Sequence, residues 1–382
     1  MKNKIKKIAL FMIMLFSMFI VTTTSSYALT TRNSGDFKII SENIPSDLKE
    51  YAIKELPKHI QNVKMEADQY GFKGYNVQNF KLAEPFSVYS EENGNVYYFP
   101  VTDNNQIVAI LGVSKVSGEG YTTTFEKGFA SELQAMVENE HHEFRIVNNN
   151  NELRAVSPTK SVLLAKTYTE TNKANTKKSN FNNYDLEKNI NKAQEETINS
   201  KEITTPLNEY AKINDNNYVQ AAQNSNNLPI QINLQGSHPW CWAATASGII
   251  NYEKGTNLQA VDIVRYVFGS EVEQGGTWQD ILKAYNAWGL YPNVTNTVPY
   301  NNVKATIDSG HPMHLGMVSY QAGGHAMTLR GYTENSDGTK SYSLIDPNKS
   351  YYVSVSAQRD SRNVCYILGG YRFYWESTCS GF

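Results

Sequence analysis

One of the three cysteines in the chain, Cys241, has a setting in which a sulfur atom can act as a nucleophile. It opens a predicted helix, directly after the turn-forming residues 236–239. Backbone N–H groups at a helix N-terminus stabilise a thiolate, and a nearby imidazolium adds to this, so the pKa of a thiol can fall from about 8.5 to roughly 3.5. A buried structural thiol is the alternative, but it leaves the flanking Trp240 and Trp242 unexplained.

The residues before and after Cys241 resemble the signature of the papain-like cysteine peptidases. That family has a Gln six positions before the nucleophile, Gly-Ser directly after this Gln, and Cys-Trp-Ala at the start of its central helix. This chain has Gln235, Gly236-Ser237 and Cys241-Trp242-Ala243 at those positions. The resemblance implies that Cys241 is the nucleophile, and that the Gln235 side chain and the Cys241 backbone N–H stabilise an oxyanion. Loss of one such donor costs about 2.7 to 4 kcal/mol.

A histidine on a later strand belongs to the same signature, and residues 323–326, Gly-Gly-His-Ala, resemble that segment. The resemblance implies that His325 is the general base. The competing histidines are His238, His311 and His314. A metal pair at positions 311 and 314 is disfavoured because residues three apart on a strand face opposite ways, and no metal site is predicted.

A third residue must accept the other ring N–H of the histidine, and Asp346, at the end of the next predicted strand, fits this role best. Plant papains have Asn at this position, and they have a shielding tryptophan where this chain has Asn348. His325 and Asp346 follow Cys241 by only 84 and 105 residues, whereas the papain pattern places its partners about 130 to 150 residues away. The domain therefore resembles compact bacterial forms such as the staphopains and the secreted papain-fold effectors of plant pathogens.

The resemblance also implies the partners of the protein. Trp240, Trp242 and Gly324, which flank the catalytic residues, are assigned to substrate binding. The expected ligands are protein or peptide substrates, with the chain's own propeptide as an intramolecular inhibitor. No metal or organic cofactor is implied, and a monomer is expected.

The N-terminus has the features of a secretory signal peptide over residues 1–28. A lysine-rich start precedes the apolar run 8–21, and the small residues Ser26 and Ala28 follow at the predicted cleavage point. The apolar run is too short for a membrane anchor, which needs about 20 apolar residues. We therefore expect a secreted, extracellular protein that has no membrane contact after the signal is removed. The formal net charge of −2 gives no reason to expect nucleic acid as a partner.

The other two cysteines, Cys365 and Cys379, flank a strand-like aromatic run, residues 371–375. An exported chain permits a disulfide between them, which loop entropy makes worth about 3 kcal/mol. Two buried free thiols are the equally weighted alternative.

The mature chain is expected to be α+β and to fall into three parts. Residues 29–170 are predicted as a separate α+β propeptide domain, with an independent binding module as the alternative. Residues 171–227, of which 15 of 57 are Asn, are predicted as an exposed linker that contains the activation cleavage region. Residues 228–382 are predicted as the catalytic domain, with helices around the central Cys helix in its first half and an antiparallel sheet or half-barrel in its second.

Some local predictions are specific enough to test. Residues 46–69 are predicted as two short helices divided at Pro57, because proline breaks a helix interior. Residues 95–101 and 106–116 are predicted as a hairpin. In the C-terminal part, helices are predicted at 243–252, 258–268 and 278–288.

The function implied by the resemblance is that of a secreted cysteine endopeptidase made as a zymogen. Two other interpretations stay open. A cell-wall amidase or peptidoglycan endopeptidase uses related chemistry, although such enzymes typically have Cys-Ser-Gly where this chain has Cys-Trp-Ala. A secreted binding or toxin-like protein with a catalytically silent papain fold is the other.

Overall fold

A computed structural model describes residues 37–89, 96–116, 118, 120–149, 151–169, 203–204, 224–357 and 364–382. The predicted signal peptide and most of the predicted linker lie outside these ranges. The described residues form an α+β fold, as the sequence indicates. No helix among them is both long and apolar enough to cross a bilayer.

The α-helices of the described residues lie in both halves of the chain. They are α1 (Ser46–Val63), α2 (Ala130–Asn139), α3 (Cys241–Lys254), α4 (Ala260–Phe268), α5 (Trp278–Ala287) and α6 (Tyr300–Asp308). The three helices predicted in the catalytic region correspond to α3, α4 and α5. Helix α6 has no counterpart among the sequence predictions.

The strands lie in groups between and after these helices along the chain. They are β1 (Lys38–Ile40), β2 (Lys81–Leu82), β3 (Phe86–Ser87), β4 (Val96–Asp103), β5 (Gln106–Val116), β6 (Gly120–Glu126), β7 (Glu143–Asn149), β8 (Glu152–Ser157), β9 (Lys160–Lys166), β10 (Ile203–Thr204), β11 (Asn224–Asn227), β12 (Asn293–Asn296), β13 (Met313–Ser319), β14 (Gly323–Glu334), β15 (Lys340–Ile345), β16 (Tyr352–Ser356), β17 (Cys365–Leu368) and β18 (Tyr371–Ser380). The hairpin predicted over residues 95–116 is formed by β4 and β5. Both turn residues, Asn104 and Asn105, have positive φ (48° and 66°), which asparagine tolerates better than most residues.

Most strands belong to one large sheet in which neighbouring strands run antiparallel. Its strand order is β12-β18-β13-β14-β15-β16-β6-β5-β4-β2, with β11 paired to β14, β17 to β18 and β3 to β4. The link between β16 and β6 pairs Ser354 with Phe125 and Val355 with Thr124. The sheet predicted for the catalytic region therefore continues into strands from residues 29–170. A smaller sheet has the order β10-β1-β7-β8-β9.

Helix α1 packs against the large sheet where its two halves meet, on strands β5, β6, β15 and β16. One cluster of buried side chains includes Leu56 of this helix, Phe125 of β6 and Leu344 of β15. The hydrophobic core is thus shared by residues on both sides of the predicted linker. All of the described residues belong to one compact unit.

Helix α1 runs through Pro57 without interruption, so the prediction of two short helices was wrong. Proline removes one backbone donor and crowds the preceding turn, at a cost of about 3 kcal/mol or more in a helix interior. Leu56, Pro57 and Ile60 are all buried against the sheet, and this packing offsets the penalty.

The thiols of Cys365 and Cys379 are both free and buried, so they do not form the disulfide suggested by their spacing. On adjacent strands, Cys365 of β17 lies opposite Tyr374, and Cys379 is five residues further along β18, opposite Val294 and His314. The strand register holds the two sulfurs far apart. Burial raises the pKa of both thiols to about 12.

Two buried histidines remain neutral in the folded protein. His59 of α1 lies 2.8 Å from the hydroxyls of both Ser354 and Thr123, and His314 lies 2.9 Å from the Tyr285 hydroxyl. Burial lowers the pKa of each ring from 6.5 to about 3, with a smaller contribution at His59 from Lys58.

We therefore expect the fold to lose stability in mild acid. Unfolded histidine binds a proton near pH 6.5, whereas these folded rings do not until about pH 3. Above pH 6.5 the two rings do not reduce the free energy of unfolding. As the pH falls from 6.5 to 3, each ring lowers the free energy of unfolding by about 1.4 kcal/mol per pH unit. Urea unfolding at pH 7.5 and pH 5 measures the slope. The double variant His59→Gln and His314→Gln should flatten it, and an unchanged slope would contradict this account.

Candidate active site

The candidate nucleophile, Cys241, is the first residue of helix α3. The helix ends at Gly255, which adopts the left-handed conformation (φ 65°) that commonly terminates helices. Helix α3 packs against β14, α4 and α5. Cys241 shares a hydrophobic cluster with Ala326, the residue that follows His325 on β14. The fold therefore brings a helix N-terminal thiol and the candidate base to adjoining elements.

The tryptophans on either side of Cys241 are held in the fold. The indole N–H of Trp240 donates to the Val272 carbonyl at 2.7 Å, and its ring stacks on His238 with centroids 4.0 Å apart. Trp242 is fully buried and lies so close to Gly276 that a Cβ there would come within 2.4 Å of the indole. The predicted contacts of both tryptophans with substrate stay a prediction.

His325 and Asp346 form a buried hydrogen-bonded pair. Nε2 of His325 lies 2.8 Å from Oδ1 of Asp346, and neither side chain is exposed. Nδ1 on the opposite side of the ring is buried and has no hydrogen-bond partner among the described residues. Because Asp346 is an acceptor for one ring nitrogen, the other remains available to accept or donate a proton.

Several groups keep Asp346 ionised. Burial alone would raise the pKa of its carboxyl, but the charge and hydrogen bond of His325, the Lys349 ammonium and the Asn348 N–H lower that pKa to about 2. Oδ2 accepts a hydrogen bond of 2.8 Å from the Tyr366 hydroxyl, and Oδ1 accepts one of 2.9 Å from the Asn348 N–H. The carboxylate is therefore fixed in position as well as in charge.

Gln235, the candidate oxyanion donor, is 2% exposed. Its backbone N–H donates to the Pro347 carbonyl at 3.0 Å, which ties it to the strand end that contains Asp346. Its Nε2 donates to the carbonyls of His238 at 2.7 Å and Tyr168 at 3.1 Å. The amide that the resemblance assigns to an oxyanion thus already contacts a carbonyl oxygen from the N-terminal part of the chain.

Comparison with known proteins assigns this region to a family. Residues 222–361 match the family described as papain-like cysteine protease AvrRpt2. This region is a papain-like cysteine protease domain. The matched residues include Gln235, Cys241, His325 and Asp346.

Other comparisons add little to this assignment. Among solved structures, the proform of Amb a 11, a cysteine protease and major pollen allergen of ragweed, matches with 13% identity and a TM-score of 0.28. The match covers 41% of this chain and 64% of the ragweed chain, so it spans less than two thirds of that protein. No curated protein matches the chain.

The remaining histidines of the papain-like domain face other partners. His238 lies 2.6 Å from Glu273 at the surface, and His311 lies 2.9 Å from Glu253. His314 faces Tyr285, so histidines 311 and 314 do not converge on a common point. Among the described residues, no group of three or more His, Cys, Asp or Glu side chains is placed to hold a metal ion.

Several contributors to the papain-like site were missed by the sequence analysis, among them Tyr366 and Lys349, which contact or stabilise the Asp346 carboxylate. Asn348 was noted only as a departure from plant papains, yet its side chain contacts the main chain of Tyr168. Glu126, at the end of β6, is 3.5 Å from the ammonium of Lys349, which in turn lowers the pKa of Asp346. Neither contact has a sequence signal, because each joins residues about 180 or more positions apart.

Proposed function

We propose that the chain is a secreted cysteine endopeptidase that is made as a zymogen and hydrolyses peptide bonds through Cys241, His325 and Asp346. One observation carries the proposal. A cysteine opens helix α3, and the strand packed against this helix holds a histidine with one ring nitrogen bound to a buried aspartate. The other ring nitrogen has no hydrogen-bond partner within the described part of the chain.

The proposed reaction begins with proton transfer from the Cys241 thiol to Nδ1 of His325. The resulting thiolate attacks the carbonyl carbon of the substrate, and the negative charge moves to the carbonyl oxygen, beside the amide of Gln235. Collapse of this intermediate breaks the C–N bond, and His325 gives its proton to the departing amine. A thioester to Cys241 remains.

Hydrolysis of the thioester completes the cycle. His325 accepts a proton from water, the hydroxide attacks the thioester carbonyl, and the sulfur leaves as a thiolate that is protonated again through His325. Throughout both steps Asp346 remains ionised and holds the ring by its Nε2, since the low pKa of its carboxyl prevents it from taking the proton.

Secretion and activation are part of the proposal and rest on the sequence features of residues 1–28 and 171–227. The burial of the site supports a precursor that is inactive as synthesised, because Cys241, Gln235, His325 and Asp346 are each at most 3% exposed. The proposed substrates are therefore proteins or peptides that enter after the precursor opens.

Paired zymograms test the activity. We expect the secreted protein, once the precursor has opened, to clear casein and to leave peptidoglycan intact. The assay needs a reducing agent because a thiolate nucleophile is lost on oxidation. An epoxide that labels active-site thiols should block clearing and modify Cys241. Clearing of peptidoglycan alone would replace the proposal with cell-wall hydrolysis, and no clearing together with no labelling would indicate a silent fold.

A further inference from the structure

The segment that follows β9, Thr167–Thr169, lies against the candidate active site. Tyr168 contacts it through both of its backbone polar groups. Its N–H donates to Oδ1 of Asn348 at 3.2 Å, and its carbonyl accepts hydrogen bonds from Nδ2 of Asn348 at 3.2 Å and Nε2 of Gln235 at 3.1 Å.

The carboxamide of Asn348 therefore acts on Tyr168 as a neighbouring β-strand would. A carboxamide offers one acceptor and a donor side by side, which match the C=O and N–H of one residue in an extended chain. These contacts do not depend on the phenol of Tyr168, which is half-buried and has the Lys166 ammonium 5.7 Å from its ring centroid. Any residue except proline could be held in this way.

The flanking residues keep the segment in place. Thr167 is 2% exposed, and its N–H donates to the Asn151 carbonyl at 2.8 Å. The hydroxyl of Thr169, which is 6% exposed, donates to the Ala322 carbonyl at 2.5 Å, just before β14. The segment thus runs from the small sheet towards the strand that bears His325.

Asn348 also connects this contact to the catalytic pair. Its backbone N–H donates to Oδ1 of Asp346, the same oxygen that faces Nε2 of His325. A peptide held by the Asn348 side chain is therefore adjacent to the groups that would act on it.

We propose that the carboxamides of Asn348 and Gln235 form a binding site for extended peptide main chain, and that Thr167–Thr169 is the internal ligand that occupies it in the full-length chain. Substrates bind to the same two carboxamides once this segment leaves. The substrate role of the two carboxamides rests on the proposed peptidase function, whereas their binding of Thr167–Thr169 does not.

The first experiment measures how fast iodoacetamide alkylates Cys241 in the full chain, by mass spectrometry of the Cys241 peptide. Asn348→Ala removes the side-chain contacts and keeps the backbone N–H to Asp346, and Tyr168→Pro removes the N–H donor. Each should release the segment and raise the alkylation rate at least about tenfold, since one to two hydrogen bonds are lost. Tyr168→Ala keeps the main chain and should stay within about twofold of the unaltered chain.

Cys365 and Cys379 supply an internal control for folding, because both thiols are buried and have a raised pKa. A variant in which all three cysteines react has unfolded. If this happens to one of Asn348→Ala and Tyr168→Pro, the alkylation rate of the other variant tests the proposal. Equal rates for the unaltered chain and a folded Asn348→Ala chain would overturn the proposal. So would equal acceleration by Tyr168→Ala and Tyr168→Pro.

The second experiment tests substrate binding. In the Tyr168→Pro chain, adding Asn348→Ala should lower kcat/KM for a fluorogenic peptide at least about fivefold, because the substrate carbonyl that contacts Gln235 then loses its contact with Asn348. An unchanged kcat/KM would overturn the substrate role. If no chain hydrolyses peptide but the alkylation pattern holds, the proposed peptidase function fails and the internal ligand stands.

Discussion

The Cys241→Ala chain is expected to hydrolyse casein at no measurable rate, a loss of roughly 10⁴- to 10⁶-fold. The two other thiols cannot replace it. Cys365 and Cys379 are buried, with the pKa of each thiol raised to about 12, so they stay protonated at neutral pH. The loss should appear as abolished casein clearing by the secreted chain under reducing conditions.

The same substitution should leave the fold intact. Alanine keeps the helix start at position 241, and the removal of one buried sulfur leaves a methyl-sized space worth about 1 kcal/mol. Circular dichroism and the urea midpoint measure this directly. Cys379→Ala is the matched control, because it removes an equally buried thiol that lies opposite His314 and has no assigned catalytic role, so it should retain full activity. Proteolysis by a folded Cys241→Ala chain would remove the mechanism.

Replacement of His325 with alanine should lower kcat/KM by about 10³-fold or more, and replacement of Asp346 with asparagine should cost less. His325 transfers the proton in both halves of the reaction, whereas Asp346 acts through it. Asparagine at 346 can still accept from Nε2 of His325 by its Oδ1, so the ring stays oriented while the negative charge is lost. A decrease of roughly 10- to 100-fold is expected for Asp346→Asn.

The comparison of the two variants discriminates between roles for Asp346. Hydrolysis of a fluorogenic peptide near pH 7 gives kcat and KM for each. If Asp346 only positions His325, kcat falls and KM stays near its value in the unaltered chain. A loss as large as that of His325→Ala would make the carboxylate an essential charge, contrary to this expectation. Tyr366→Phe, which removes one hydrogen bond to Oδ2 of Asp346, serves as a milder control.

The local chemistry of the site could be predicted from the sequence because it follows from short patterns. Cys241 lies at the start of a helix because a Gly- and Pro-containing turn precedes an Ala-rich run. Asp346 lies at a strand end and His325 on the neighbouring strand, and antiparallel pairing of β14 with β15 places Thr328 opposite Ile345. This register brings the two side chains within 2.8 Å of each other.

Features that depend on distant packing could not be predicted in this way. Proline ends most helices, and only the burial of residues 56–60 against the sheet explains why α1 continues. Strand β11, Asn224–Asn227, is entirely polar and has no apolar alternation, yet it pairs with β14. The contact of Asn348 with Tyr168 depends on where β9 ends in space, which no local pattern encodes.

The pairing of β6 with β16 determines what a cut in the linker can achieve. Cleavage between residues 171 and 223 would produce a nicked protein of two polypeptides, still joined through backbone hydrogen bonds and a shared interior. Departure of the N-terminal fragment would leave β16 as an open edge and uncover the apolar surface beneath α1. Proteolysis of one peptide bond and physical dissociation are thus distinct events, and the second has an energetic barrier of its own.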